Sequence, residues 1–193
     1  MLAAIILSGG ASRRMGSPKA LLSYQGRPFL EHLLDVAHHP KIGARRIVLG
    51  ADADPIAKEV DLAPGEIVIN EEWEKGQLSS LQAALRSLPP QTDGVLLLLI
   101  DHPLISSTLV GELIETFYNS RKPIVLPVYE GRRGHPVIFS SALYEELLNA
   151  PPETGARSVV WAHSAEVQIV QTNEEGCVLN LNDPDTMHKA LGG

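Results

Sequence analysis

Residues 2–19 read LAAIILSGGASRRMGSPK. A short apolar run, partly β-branched, stops abruptly at Gly9 and Gly10, and a compact basic loop follows. A buried parallel strand delivers a backbone loop to an anionic ligand in this way. The glycines let backbone N–H groups approach phosphate oxygens closely, while Arg14 and Lys19 add full positive charges. The stretch therefore predicts a phosphate-binding loop at the end of a buried strand.

The composition indicates one globular domain over residues 1–193 and disfavours two classes of partner. The chain has 193 residues, 44% of them hydrophobic, which is enough for a sizeable core. Its net charge of −7 disfavours nucleic acid or an anionic membrane as the main partner. Binding of a polyphosphate must therefore depend on a local cluster of positive charge.

The sequence also predicts a cytoplasmic protein. The single cysteine, Cys177, excludes an internal disulfide and is typical of a reducing compartment, where we expect it to be a small buried apolar residue. The longest strongly apolar run, residues 95–100, is strand-sized. It is far shorter than the roughly 18 residues of a membrane helix. The residues after Met1 lack the basic segment and the long apolar region of a secretory signal.

Apolar runs of strand length alternate with segments of helical periodicity along most of the chain. Such alternation predicts an α/β domain with a largely parallel sheet. The polar, glycine-rich residues 129–136 interrupt the alternation and indicate a functional loop or hairpin on the substrate side. The strand-length runs are residues 3–7, 47–49, 67–69, 95–100, 124–128, 137–139, 167–170 and 178–181.

The first loop matches neither of two common phosphate-binding motifs. Gly9 and Gly10 are adjacent and the next glycine is Gly16, so the dinucleotide pattern G-x-G-x-x-G is absent, as is the G-K-[ST] of a Walker A loop. The pattern L-S-G-G-A-S-R-R-M-G-S-P-K instead resembles the signature of the MobA-like nucleotidyltransferases, which activate small molecules with a nucleoside triphosphate. The resemblance implies a three-layer α/β/α, Rossmann-like nucleotidyltransferase fold with a mostly parallel mixed sheet.

The same resemblance implies roles for the residues of this loop. Arg14 and Lys19 would hold the triphosphate and stabilise the charge that develops as pyrophosphate leaves, so both are expected to be catalytic. Arg13 is expected to be exposed or to act through a neighbour. An ordinary strand-to-helix turn with solvated basic residues is the alternative, but it leaves the spacing unexplained. The strand end and loop are expected to contact the nucleotide through Leu7, Ser8, Gly9 and Gly10.

A second motif, LLLLIDHP at residues 96–103, places an aspartate just after a buried strand. Open α/β sheets form their ligand crevice at this end of the strands. Mg²⁺ prefers carboxylates and phosphate oxygens, so Asp101 is the leading metal ligand and a catalytic, nucleotide-binding residue. Members of the resembled family have a similar strand that ends in an Asp two residues before Pro. The alternative for Asp101 is a helix cap or a turn residue.

A third motif near the end of the chain, NLNDPD at residues 180–185, resembles the terminal motif of the same family. The resemblance assigns Asn182 as the second metal ligand, with Asn180 as the runner-up. An amide oxygen would hold Mg²⁺ more weakly than a carboxylate but would still coordinate it. Asp183 is expected to cap the last helix. Simple turn chemistry is the alternative for both asparagines.

A fourth stretch, NEEWEKGQLSSL at residues 70–81, resembles the family segment that contacts the base and sugar of the nucleotide. The resemblance assigns nucleotide contacts to Asn70, Gly76 and Ser80. Leu78 replaces the small residue often found at its position, so the individual base contacts do not transfer directly.

The stretch YEGRRGHPVIF at residues 129–139 resembles the segment typical of the molybdenum-cofactor cytidylyltransferase branch, and the later Gly155-Ala156-Arg157 matches its following element. The resemblance assigns acceptor contacts to Gly134 and His135. A purely structural role for His135, orienting the turn before Pro136, is the alternative.

Together the resemblances imply a Mg²⁺-dependent transferase that moves CMP from CTP to a molybdenum-bound molybdopterin and releases pyrophosphate. A molybdoenzyme client is a further expected partner. GTP is the alternative nucleotide, because Gly9-Gly10 resembles the guanylyltransferases of the family. Two rival functions are a transferase that acts on a sugar phosphate and a noncatalytic carrier of the cofactor.

Overall fold

The computed structural model of the protein describes residues 1–10, 16–182 and 184–191. Within these ranges the strands are β1 (Leu2–Ser8), β2 (Ser23–Tyr24), β3 (Arg27–Pro28), β4 (Ile42–Leu49), β5 (Ile67–Ile69), β6 (Gly94–Leu99), β7 (Ile124–Tyr129), β8 (Arg132–Arg133), β9 (Val137–Ser140) and β10 (Val167–Gln171). The α-helices are α1 (Phe29–Val36), α2 (Ala53–Glu59), α3 (Gln77–Arg86), α4 (Ser107–Ser120), α5 (Tyr144–Leu148), α6 (Arg157–Ala162) and α7 (Pro184–Leu191).

Eight of the strands form one sheet, in the order β10-β7-β9-β6-β1-β4-β5, with β8 paired to β7. Strand β1 runs parallel to β4 and β6, β4 runs parallel to β5, and β7 runs parallel to β10. Strand β9 lies antiparallel between β6 and β7. Strands β2 and β3 form a separate hairpin. The predicted α/β fold with a mostly parallel mixed sheet is therefore confirmed.

The central strand β1 is buried along its whole length, which explains its unbroken apolar sequence. Because side chains alternate between the two faces of a strand, Ile6 packs into a core with α1, α2 and α4, whereas Ile5 packs into a core with α3, α5 and α6. The sheet thus has a helical layer on each face. Within the described residues, no helix is long and apolar enough to cross a membrane.

The prediction of a strand at residues 178–181 is wrong. After a short 3₁₀ turn, Glu175–Cys177, this segment runs as an irregular loop. The Leu181 N–H donates to the carbonyl oxygen of Asp101, 2.8 Å away, so this backbone group is satisfied by a loop. Cys177 is fully buried, as expected. Val178 packs against the core and Leu181 is fully buried, although neither residue joins the sheet.

The interrupted stretch 129–136 forms a hairpin arm. Strands β7 and β8 pair through Val128 with Arg133 and Tyr129 with Arg132. The turn between them has positive φ at both Glu130 and Gly131, 47° and 78°. This geometry matches the right-handed twist of a two-residue hairpin and favours glycine at the second position. The arm carries Gly134 and His135 back toward the edge of the sheet where β1 and β6 end.

One exposed ion-pair cluster joins α5 to the end of α6. His163 Nδ1 lies 2.7 Å from Glu166 Oε2, and His163 Nε2 lies 2.9 Å from Glu146 Oε2. The pKa of His163 is raised above its ordinary value, mainly by the hydrogen bond to Glu166 and secondly by the hydrogen bond to Glu146. A raised folded-state pKa means that the stabilisation is fully present below the unfolded pKa of about 6.5 and is lost as the pH rises through the folded pKa.

We therefore expect His163→Gln to destabilise the protein more at pH 5.5 than at pH 8.5, by up to about 1 kcal/mol because both carboxylates are exposed. Urea unfolding at the two pH values measures this difference. His38→Gln is the matched control, since His38 is an exposed histidine outside the cluster. A His163→Gln loss that is the same at both pH values would contradict the prediction.

Candidate functional site

The carboxyl ends of β1 and β6 open into a cavity of about 200 Å³, here called the strand-end cavity. Parallel strands that end at the same edge of a sheet bring their following loops together, as in other open α/β sheets. Most of the predicted nucleotide-binding residues line this cavity. They are Leu7, Ser8, Gly9, Gly10, Lys19, Gly76, Ser80 and Asp101.

Two other predicted residues stand apart from this group. Arg14 lies outside the described residues, as do Arg13 and Asp183, so their predicted roles stay predictions. Asn70 is buried behind the cavity wall and donates from Nδ2 to Ser79 Oγ at 2.8 Å and to Ser80 Oγ at 3.0 Å. Its own Oδ1 accepts from the Glu72 N–H at 3.0 Å. Asn70 therefore fixes the position of Ser80 at the cavity.

Close packing explains the glycine at position 9. A Cβ atom at Gly9 would lie 2.7 Å from Ser80 Oγ, which is too short for a real contact. Ser80 cannot move away easily, because its hydroxyl is held by Asn70. The close approach of the first loop to α3 thus requires glycine here.

We expect Gly9→Ala to lower the free energy of unfolding by about 1–3 kcal/mol through this clash. Ser80→Ala removes the opposing oxygen, so the double variant should lose clearly less stability than the sum of the two single variants. Urea unfolding of the four proteins measures the coupling. Gly10→Ala is the matched control, because a Cβ at Gly10 would meet no atom of the described residues within 4 Å. Strictly additive losses would contradict the packing explanation.

The segment that carries Asn180 and Asn182 closes one side of the strand-end cavity. Asn180 Nδ2 donates to Asp101 Oδ2 at 2.8 Å, and Lys19 Nζ donates to Asn182 Oδ1. Both bonds cross from the end of the chain to the loops that follow β1 and β6. The structure thus brings Asn180 to Asp101 and Asn182 to Lys19.

The oxygen donors at Asp101 fit a hard divalent cation. Asn180 Oδ1 is buried and has no hydrogen-bond partner among the described residues, although it lies beside the Asp101 carboxylate. Carboxylate and amide oxygens are the ligands that Mg²⁺ accepts in proteins. Among the described residues, no cluster of three or more His, Cys, Asp or Glu side chains could hold a metal alone. A cation here would need further oxygens from a bound ligand or water.

A second and larger cavity, of about 480 Å³, lies beside the first and is here called the hairpin cavity. It shares Leu7, Gly76 and Gln77 with the strand-end cavity. The predicted acceptor residues, Gly134 and His135, both line it. Two ligands, one in each cavity, would therefore lie next to each other at these shared residues.

The position of the hairpin arm in this cavity is fixed by its backbone. The Gly134 N–H donates to Pro127 O at 2.9 Å, and the His135 N–H donates to Cys177 O at 2.8 Å. A Cβ atom at Gly134 would lie 2.5 Å from that same oxygen of Cys177, so only glycine fits. The arm is thereby tied to the segment that leads to Asn180 and Asn182.

The structure places His135 in the wall of the hairpin cavity, and its predicted contact with the acceptor stays a prediction. Its ring lines the cavity and lies 5.2 Å from the ring of His102, measured between centroids. Burial lowers the pKa of His135 to about 4, and the neighbouring His102 acts in the same direction. The ring is therefore neutral at neutral pH. The Nδ1 atoms of both rings are buried without a hydrogen-bond partner in the described part of the chain.

Four cavity residues received no role from the sequence, although Trp73 and Arg157 lie within motifs described above. Asp52 and Trp73 line the strand-end cavity, while Arg157 and Trp161 line the hairpin cavity. Asp52 could have been found, since it follows the buried strand β4 at the same edge of the sheet as Asp101. Trp161 carries no such signal, because its place depends on how α6 packs.

Comparison with known proteins adds a family. The family model described as MobA-like NTP transferase domain matches residues 4–167. The chain is 29% identical over 202 residues to nicotine blue oxidoreductase of Paenarthrobacter nicotinovorans, covering 97% of this chain and 95% of that protein. It is 29% identical over 205 residues to molybdenum cofactor guanylyltransferase of Rhizobium meliloti (strain 1021), covering 97% and 89%.

Solved structures share the fold. The crystal structure of Rv0371c from Mycobacterium tuberculosis H37Rv has a TM-score of 0.84 and 27% identity, covering 100% of this chain and 98% of that one. A structure of the same protein in complex with manganese has a TM-score of 0.76 and 24% identity, with the same coverage. The family match at residues 4–167 contains Lys19, Asp101 and Gly134 and ends before Asn180.

Proposed function

Because the chain belongs to the MobA-like NTP transferase family, a family of nucleotidyltransferases, we propose that it transfers CMP from CTP to a molybdenum-bound molybdopterin and releases pyrophosphate. One observation carries the proposal. The strand-end cavity, with Lys19 and Asp101, and the hairpin cavity, with Gly134 and His135, share a wall. This arrangement suits a reaction that joins two substrates.

The reaction needs positioning and charge stabilisation and no covalent enzyme intermediate. A phosphate oxygen of the acceptor attacks the α-phosphorus of CTP, the new P–O bond forms, and the bond to the β-phosphate breaks to release pyrophosphate. Negative charge accumulates on the leaving phosphates and on the nonbridging oxygens. The Lys19 ammonium and the backbone N–H groups at Gly9 and Gly10 are the donors that would stabilise it.

The metal proposal is Mg²⁺ held by Asp101 and an asparagine amide oxygen. When bound there, a divalent cation would offset the crowded charge of the triphosphate. The contact with Asp101 and the unpartnered Oδ1 support Asn180, whereas Asn182 accepts a hydrogen bond from Lys19. Asn182, the first choice from the sequence, thus becomes the second candidate, since a triphosphate that takes over Lys19 would release the Asn182 amide oxygen.

The choice of CTP over GTP depends on how position 9 is interpreted. The adjacent glycines resemble the guanylyltransferases, but the close approach to Ser80 gives Gly9 a packing reason that is independent of the base. The longer match at residues 129–139, in the hairpin arm, supports the cytidylyl branch. We therefore retain CTP as the proposed nucleotide.

A nucleotide panel tests this proposal. The protein is incubated with Mg²⁺ and molybdenum-loaded molybdopterin, and pyrophosphate release is measured with CTP and GTP in separate reactions. We expect turnover with CTP to exceed that with GTP by at least about tenfold, a modest preference for one base-binding site. Turnover with GTP alone would reject the cytidylyl assignment. Parallel reactions with sugar phosphates as acceptors test the rival substrate class.

A second candidate function follows from the relative named nicotine blue oxidoreductase, which aligns along 97% of the chain. Oxidation or reduction of a pigment needs an electron donor or acceptor, and Lys19 beside Asp101 in one cavity favours triphosphate chemistry instead. A reaction with nicotine blue and a reduced nicotinamide cofactor serves as the test. Turnover there, with no pyrophosphate from any nucleoside triphosphate, would replace the transferase proposal.

A further inference from the structure

Helix α6 presents an aromatic and a cationic side chain to the hairpin cavity. Arg157 and Trp161 are four residues apart, so they lie on the same face of the helix, and both line the cavity. The guanidinium carbon of Arg157 lies 5.9 Å from the centroid of the Trp161 ring, within range of a cation–π interaction. The pair thus forms one continuous surface, here called the α6 platform.

Trp161 is unusually exposed for so large an apolar side chain. Its relative exposure is 55%, whereas Val159 on the same helix is 4% exposed and packs into the core. An exposed indole in a cavity wall contributes little to folding, but it offers a flat surface on which another ring can stack. The exposure therefore points to a ligand that covers the ring.

The charges around the platform favour an anion. Among the described residues, the charged side chains that line the hairpin cavity are three cations, Lys75, Arg133 and Arg157, and one carboxylate, Glu153. This local excess of positive charge contrasts with the net charge of −7 for the whole chain. The deeper wall is apolar and includes Leu97, Leu126 and Phe139. A ligand that fits has an apolar, flat body and a negatively charged group near the arginines.

We propose that the α6 platform selects the acceptor: Trp161 stacks on a planar ring system and Arg157 binds a negative charge attached to it. The proposal rests on the proposed function, since it takes the hairpin cavity as the acceptor site. It also disfavours sugar phosphates as acceptors, because a puckered sugar ring covers less of the indole than a flat ring system does.

Binding measurements by calorimetry on the full chain separate the two roles. Three probes are used. Pterin-6-carboxylate is a planar anion, unsubstituted pterin is a planar neutral ring, and ribose 5-phosphate is a nonplanar anion. Trp161→Ala should weaken binding of both pterins by about tenfold, the usual size of a lost stacking partner, while Trp161→Phe should retain most of the affinity. Arg157→Ala should weaken the binding of pterin-6-carboxylate and leave the binding of unsubstituted pterin unchanged.

Two controls check that these effects are local. Arg86→Ala removes an exposed arginine outside the cavity and should leave all affinities unchanged. Because Trp161 is exposed, Trp161→Ala should keep the thermal unfolding midpoint and the affinity for Mg-CTP close to those of the unmodified protein.

Unchanged pterin affinity in Trp161→Ala, equal loss in Trp161→Phe, or no pterin binding by the unmodified protein would overturn the proposal. Failure of the proposed function would give a different set of results. If pterin binding depends on Trp161 but no pyrophosphate is released from CTP, the transferase assignment is wrong and the α6 platform is still a binding site for a planar ring. Nucleotidyl transfer with an unchanged KM for the acceptor in Trp161→Ala would do the reverse.

Discussion

Replacing Asp101 with asparagine should lower the rate of nucleotidyl transfer by at least about 10²- to 10³-fold, the usual cost of removing one group that stabilises a charged transition state. The carboxylate lies at the end of β6, in the strand-end cavity and beside Asn180. Asparagine has the same shape but no charge, so the fold should survive while the hold on a divalent cation weakens. Pyrophosphate release at saturating CTP measures the loss.

Asp52→Asn is a matched control, because it removes one negative charge from the same cavity. Asp52 also lines the strand-end cavity, but it follows β4, away from the asparagine that bonds to Asp101. Asp52→Asn should therefore reduce the rate far less than Asp101→Asn. Near-normal transfer by Asp101→Asn would contradict the account. If Asp101→Ala still bound nucleotide and still supported full cofactor maturation in cells, a noncatalytic carrier would be the better explanation.

Replacing Lys19 with methionine should lower kcat/KM for CTP by about 10²-fold or more, because a full positive charge at the triphosphate is lost. Methionine keeps much of the length of the side chain, so packing beside the first loop should persist. Steady-state kinetics with CTP as the varied substrate measure the effect. Lys19→Arg should recover part of the activity, since it restores the charge with a different geometry.

The contact between Lys19 and Asn182 needs its own control. Asn182→Ala breaks this contact and keeps the ammonium, so it separates loss of charge from loss of a link to the end of the chain. We expect Asn182→Ala to retain clearly more activity than Lys19→Met. Equal losses in the two variants would contradict a role for the Lys19 charge beyond its contact with Asn182.

The parts of the fold that could be predicted from sequence are those where one local pattern has one physical solution. The apolar run of β1, buried on both faces, can only be a central strand, and the glycines after it mark the end of that strand. Asp101 was predictable for the same reason, since a polar residue directly after a buried strand lies at the ligand edge of the sheet. The cavity confirms that Asp101 and Lys19 lie at the same site.

Other features depend on contacts that no local pattern records. Residues 178–181 have a strand-like composition, but Leu181 bonds to the loop at Asp101 instead of to a strand. Likewise, the sequence cannot distinguish Asn180 from Asn182, because the difference depends on which one meets Lys19 across the cavity. The packing of α6 placed Trp161 in a cavity wall, although its helix alone predicts only an exposed residue.

The central claim is that the α-phosphorus of CTP passes to the acceptor. Its most direct measurement uses CTP labelled with ³²P at the α-position in one reaction and at the γ-position in another, each with Mg²⁺ and molybdenum-loaded molybdopterin. We expect α-label in a pterin dinucleotide and γ-label in pyrophosphate. Alpha-label that remains in CTP, or that appears only in free CMP, would contradict it.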